Sequence, residues 1–311
     1  LRGTCRPHFF PIPNPLASAQ PPRFYDSLLA WYFVAIWGTG FIATKIGLSH
    51  APPFTFLALR FAFGTACLAL IVLAVKPRWP ASPQALGHVI VAGLLMHIVH
   101  LGGSHYTQYL GLSAGITAVL LSIQPLLTAL VASRWLGEAL AWRQWLGVFL
   151  GLAGVTLIVW HKIDVREATA GSLIAVTISL VGVTAGTLYQ RIFCPAVDLR
   201  AAAFLQFAVN LLILLPLSWF IEGSPVRWSW ALAGVILFLV IGASILAVNA
   251  FHVLMRRGQA IRVTSLIYLT PLFPVALELL LYGIAPSLLS LTGIAITCAG
   301  VALASWQRRI R

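Results

Sequence analysis

The chain has 311 residues, 60% of them hydrophobic and 9% charged, with a formal net charge of +13 and a mean hydropathy of +0.94. A soluble globular domain carries about 25% charged residues, so this composition excludes one and places most of the chain in hydrocarbon. The apolar stretches are continuous rather than alternating, which excludes a transmembrane barrel and calls for helices that satisfy their own backbone.

Residues 1–26 are proline-rich, carry Arg2, Arg6 and Arg23, and lack the unbroken apolar core of a secretory signal; they read as a disordered arm whose first residue, Leu1, hints at an unusual start. Ten apolar segments follow, at about 28–47, 54–75, 86–108, 113–133, 144–160, 171–190, 201–221, 230–254, 260–282 and 287–306. Each approaches the roughly 20 residues a helix needs to cross a bilayer. Turn chemistry joins them, as at Glu222-Gly223-Ser224-Pro225 and Gly283-Ile284-Ala285-Pro286.

The first segment contains Trp37-Gly38-Thr39-Gly40-Phe41 and Lys45. The second places Arg60 some six residues inside its span, about 9 Å from the nearer end. The third carries His97 and His100 on one helical face near its middle, with His105 two turns on from His97. The fourth holds Gln124 and Pro125; Leu136-Gly137-Glu138 then links it to the fifth, which is marked by Gly147, Gly151 and Gly154. In the second half Tyr189, Asn249, Tyr268 and Thr270 are polar groups within spans, Pro271 and Pro274 interrupt the ninth segment, and Glu278 is the one acid inside a predicted span.

A shift of 146 residues lays Pro125 on Pro271, Gly137 on Gly283, Gly147 on Gly293 and Gly154 on Gly300, with weaker echoes such as Phe61 on Phe207. Each half contains five segments, and five is odd, so matching helices cross in opposite directions. The predicted fold is an all-α integral membrane protein with ten transmembrane helices arranged as two inverted five-helix repeats, 27–160 and 161–307, followed by a basic tail at 308–311. Fifteen of the Lys and Arg residues then fall on the side of the termini and four on the other, so the positive-inside rule puts both termini in the cytoplasm. That asymmetry accounts for the basic charge without nucleic acid.

These residues resemble the EamA-type members of the drug/metabolite transporter superfamily: Trp37-Gly38-Thr39-Gly40-Phe41 with Lys45, Pro53, Arg60, Pro125, Leu136-Gly137-Glu138, Gln144-Trp145-Leu146-Gly147 and Gly154, over about residues 28 to 306. The resemblance implies two five-helix repeats and export of amino acids, other metabolites or amphipathic compounds. The second half departs from the pattern, with Ile284 at the position equivalent to Glu138 and Gln206 at that of Arg60.

The function expected is a secondary transporter of a bacterial inner membrane, exporting a small organic metabolite by alternating access. Its cavity candidates are Trp37, Arg60, His97, His100, Gln124, Tyr268 and Thr270. Depth along the helices pairs Glu278 with Arg60, as an ion pair or a proton-coupling site, against the plainer reading in which each reaches the interface. The histidines either relay protons and bind substrate or bond across helices. Pro125, Pro271 and Pro274 are expected to break mid-membrane helices, by kinks that move or by kinks that merely pack. Glycines in the fifth and tenth helices are expected to pack tightly, with a homodimer contact as the other reading, and Glu138 to anchor the helix that follows it. Cys5, Cys67, Cys194 and Cys298 lack metal-ligand or redox spacing, and three histidines on one helix make a weak metal set, so neither metal nor cofactor is expected. An intramembrane enzyme needs a nucleophile, a metal set or a paired acid and base, and none is read from the chain; a non-transporting membrane sensor is the third class.

Overall fold

The computed structural model describes residues 24–135, 141–164, 168–195, 197–223, 226–256 and 270–304. Among these the regular elements are all helical: α1 (Phe24–Leu48), α2 (Pro53–Val75), α3 (Pro83–Gly93), π1 (Leu94–Val99), α4 (His100–Tyr109), α5 (Ala114–Leu121), α6 (Gln124–Trp135), α7 (Trp142–Asp164), α8 (Ala170–Phe193), α9 (Leu199–Ile221), α10 (Trp230–Leu237), π2 (Phe238–Ala247), α11 (Val248–Arg256), α12 (Leu272–Tyr282) and α13 (Leu288–Ala304). Phe24, Tyr25 and Asp26, which the sequence reading assigns to the N-terminal arm, belong to α1, and the rest of that arm lies outside the described residues.

Local chemistry starts these helices where it is needed. Pro53 opens α2 at a position whose N–H has no helical acceptor, and Ser82, Ser113, Thr169, Asp198 and Ser229 each accept a backbone N–H of the turn that follows. Among the described residues six helical stretches are long and apolar enough to cross a membrane: Tyr25–Leu48, Pro53–Val75, Pro83–Tyr109, Ala170–Phe193, Leu199–Ile221 and Trp230–Ala250. Ala114–Thr128, Trp142–Ile158, Leu272–Tyr282 and Leu288–Leu303 are shorter apolar helices. Leu212, Trp219, Trp230 and Leu280 stand outward and largely exposed, as side chains do when the surrounding medium is hydrocarbon rather than water. The chain is a multi-pass membrane protein.

The helices pair across the two halves. The most extensive contacts join α7 to α13 and α2 to α9, and α1 runs along π2 while α4 and π1 run along α8. Glycine decides the first of these. A Cβ at Gly293 would stand 2.9 Å from the Gly154 carbonyl oxygen, and one at Gly300 would lie 2.7 Å from that of Gly147, so the two backbones touch as the glycine pattern predicted.

Two π-helical stretches interrupt otherwise regular spans. Adding 146 to Leu94–Val99 gives 240–245, inside Phe238–Ala247, so the irregularity occupies equivalent positions in both halves. A π turn adds a residue to the helical repeat and turns side chains out of register, a device concentrated at functional sites.

Candidate functional site

Two polar regions stand out against the apolar core, one at a rim and one in the interior. At the rim, Lys45 in the last turn of α1 donates from Nζ to Glu278 Oε1 at 2.9 Å and lies 4.3 Å from the centre of the Tyr282 ring. Glu278 is 4% exposed, yet its carboxylate is fully engaged: Oε1 also accepts the Ala114 N–H at 3.0 Å, and Oε2 accepts the Gly115 N–H at 2.9 Å. Those are the first amides of α5, where the helix dipole favours negative charge. A Cβ at position 115 would come within 2.8 Å of Glu278 Oε2, so glycine is what lets the carboxylate approach.

A second carboxylate treats α2 the same way. Glu222, just past the end of α9, accepts the Phe54 N–H at 2.7 Å through Oε1, and the Thr55 N–H and Thr55 hydroxyl, both at 2.7 Å, through Oε2; the Tyr106 hydroxyl donates to Oε1 at 3.2 Å. The Arg227 N–H donates to the His50 carbonyl at 2.9 Å nearby. Two acids of the second half thereby tie α1 and α5 to α12, and α2 and α4 to α9.

The pairing of Glu278 with Arg60 expected from sequence does not occur. The shorter Lys45 side chain and the α5 amides occupy the carboxylate, while Arg60 turns towards π2, donating from Nη2 to Ser244 Oγ at 3.2 Å. Its Nε has no hydrogen-bond partner. Arg60 lies within electrostatic reach of His97 and His100, and His97 Nε2 meets Gln206 Oε1 at 3.3 Å. Phe61 and Phe207 meet edge to face with centroids 4.6 Å apart, and each lies 5.3 Å from His97. The interior region thus unites Arg60 and His97 with three residues the sequence reading left out: Ser244, Phe61 and Phe207.

The two halves make equivalent contacts here. Arg60 of α2 bonds Ser244 of π2, and the residue 146 positions after Arg60, Gln206 of α9, bonds His97 of π1. The polar residue in the second helix of each half reaches the irregular stretch of the other half. This signal was available in the alignment of Arg60 with Gln206, where the sequence alone reads only a lost charge.

Of the remaining candidates, His100, Gln124 and Trp37 have local partners, whereas the Thr270 hydroxyl is buried with none. His100 Nδ1 lies 2.9 Å from Ser179 Oγ, which in turn donates to the His100 carbonyl at 2.8 Å, so this histidine bonds across to α8. His105 is buried between Phe56, at 5.5 Å, and Thr44, whose Oγ1 is 3.5 Å from Nε2. Gln124 donates to Thr128 Oγ1 at 3.1 Å and to Thr187 Oγ1 at 3.5 Å, apart from the Arg60 group. Trp37 is half-exposed and packs on Phe33 at 5.4 Å. Thr270 is buried beside α1, its carbonyl oxygen 2.7 Å from where a Cβ at Gly38 would stand. Tyr268, Glu138 and the basic tail lie outside the described residues.

The prolines act differently from their sequence reading. The helix breaks at Ser122 and Ile123, and Pro125 follows in the first turn of α6; Pro271 stands immediately before α12, with Pro274 in its first turn. All three occupy helix starts, where a missing N–H costs little, rather than leaving a carbonyl unpaired inside a continuous helix.

One pentapeptide not singled out from the sequence, Gly111-Leu112-Ser113-Ala114-Gly115, has the spacing of a serine-nucleophile turn. Here it joins two helices, and Ser113 Oγ accepts the Ile116 N–H at 3.3 Å as the cap of α5, so the spacing serves a helix start.

Comparison with known proteins agrees with this architecture. The EamA-like transporter family model matches residues 27–160 and again 169–306. The uncharacterized transporter YvbV of Bacillus subtilis is 26% identical over 82% of this chain and 83% of its own. An uncharacterized inner membrane transporter of Escherichia coli, YedA, is 28% identical over 81% of each chain. A probable amino-acid metabolite efflux pump of Salmonella typhimurium is 23% identical over 92% of this chain and 96% of its own. A solved crystal structure, 21% identical, superposes with a TM-score of 0.63 over 91% of this chain and 98% of that one, which shows a shared fold.

Proposed function

Because the chain belongs to the EamA-like transporter family, we propose that it is a secondary transporter of a bacterial inner membrane that moves a small organic metabolite outward by alternating access. The two matched segments, 27–160 and 169–306, act as inverted halves of five spans each, with both termini in the cytoplasm. The observation that carries this reading is the reciprocal contact at the interior: Arg60 on Ser244 of π2, and Gln206 on His97 of π1. Two halves that interlock through equivalent residues can exchange roles, so that one arrangement opens to one face and its counterpart to the other.

In this topology the rim tied by Glu278 and Glu222 faces away from the cytoplasm, and its ties close that side. Opening it requires Lys45 to part from Glu278. Protonation of Glu278 removes the charge that holds Lys45, which couples the opening to a proton. The relatives named as transporters and as an amino-acid metabolite efflux pump support a metabolite as cargo.

Labelling of His97→Cys and Gln124→Cys from each side of sealed vesicles tests alternating access. Reactivity from both faces is expected; reactivity confined to one face throughout would sink it. Efflux from liposomes loaded with amino acids, nucleosides or organic cations, with and without a pH gradient, tests the cargo class. Equal response of wild type and Glu278→Gln to the gradient removes the coupling role.

A further inference from the structure

We infer that Arg60 is the anchor for a single oxyanion, a carboxylate in the simplest case, carried by the compound this protein moves; the inference rests on the transport reading and names the chemistry of that cargo. The argument begins with a missing charge. An ionised guanidinium inside a membrane span is costly unless an anion or water compensates it. Arg60 stands seven residues into α2, about 10 Å from its start. Its one hydrogen bond is to the neutral Ser244 hydroxyl, and Nε is buried without a partner.

Among the described residues no acid pairs with it. There are seven Asp and Glu residues in all. Glu278 is held by Lys45 and the α5 amides, Glu222 by the start of α2, and Asp198 by the Arg200 N–H at the start of α9. Asp26 lies in the first turn of α1, about 28 Å along that helix from Lys45. Glu138 precedes α7, and Asp164 and Glu167 fall at its far end and beyond. The stretch 257–269 contains no acid either. No described residue supplies the counter-charge, which the cargo then brings.

The same surroundings restrict what brings it. Arg60 is part-buried, so the described residues leave part of its side chain uncovered. The position equivalent to Arg60 in the second half is the neutral Gln206, whose side chain is occupied by His97 and the Val89 carbonyl, so the arrangement offers one guanidinium and not a symmetric pair. One positive charge matches one oxyanion. Phe61, the next residue in the chain, is buried with Phe207 against His97 in an apolar cluster, so the protein around this part of α2 offers no second charge. A guanidinium binds carboxylate through parallel N–H donors, and the unpartnered Nε supplies one of them.

Thermal unfolding of the purified full-length protein in detergent tests this directly, with acetate, 3-phenylpropionate and L-leucine each set against its amide. At least one acid is expected to raise the unfolding midpoint while its amide does not, and Arg60→Gln to weaken that acid about tenfold to a hundredfold. Arg60→Lys should retain part of the response, because it keeps the charge and loses the fork. Failure of every acid to shift the midpoint, an equal shift by the amide, or an acid response that survives in Arg60→Gln overturns the anchor. Exchange across liposomes separates this from the transport reading. Arg60-dependent acid binding without movement across the bilayer keeps the anchor and defeats transport; movement of amides or amines that Arg60→Gln leaves untouched keeps transport and defeats the anchor.

Discussion

The rim and the interior use charge in opposite ways. At the rim every carboxylate is over-supplied: Glu278 receives a lysine and two helix amides, and Glu222 two amides and two hydroxyls. In the interior a guanidinium receives one neutral hydroxyl. Satisfied charges hold helices in one arrangement, whereas an unsatisfied one waits for a partner that comes and goes. In the transport reading proposed above, the difference separates a closure that the protein makes by itself from a site that a ligand completes.

Substitutions at each region can break this contrast. Glu278→Ala removes an ion pair and two amide bonds from a buried position and should cost about 2–4 kcal/mol of stability, read as a lower thermal midpoint in detergent. Glu222→Ala uncaps α2 at a half-buried position, with an expected loss of about 1–2 kcal/mol in the same measurement. Gly115→Ala sets a methyl against Glu278 Oε2 and Val275 Cγ2, each 2.8 Å away, and should cost about 1 kcal/mol, which Glu278→Ala relieves only in part in the double variant. Arg60→Gln is the decisive contrast: without ligand it should leave stability unchanged or raise it by up to about 1 kcal/mol, since it removes an unpaired charge. A loss larger than that would reveal a permanent partner and erase the distinction between the two regions. Ser244→Ala, which deletes a single neutral acceptor, is expected to change stability by about 0.5 kcal/mol at most.

Much of the helical layout was legible because its cause is local. A bilayer demands about 20 apolar residues in a row, and no tertiary context is needed to recognise them. Glycine pairs between α7 and α13 were legible for a related reason: small residues repeating at Gly147, Gly151 and Gly154, and again at Gly293 and Gly300, leave room only for another backbone. The site was less so. Depth along a helix put Arg60 and Glu278 at similar levels, and level alone cannot say which helix faces which. Glu222 read as part of a turn because its role depends on the start of α2, 167 and 168 residues earlier in the chain. The prolines were legible as marks of a helix break but not as helix starts, because a helix that has already ended at Ser122 looks, in sequence, like one that continues to Pro125.

The sequence by itself determined that this is a helical, multi-pass membrane protein of the EamA-like transporter family, because hydropathy and spaced glycines are properties of consecutive residues. Only the tertiary structure decided the partners of its charges. Lys45 and Glu278 lie 233 positions apart, and Arg60 and Ser244 lie 184 apart. Electrostatic pairing depends on distances of a few ångströms between helices, and those are set by how the spans pack against one another.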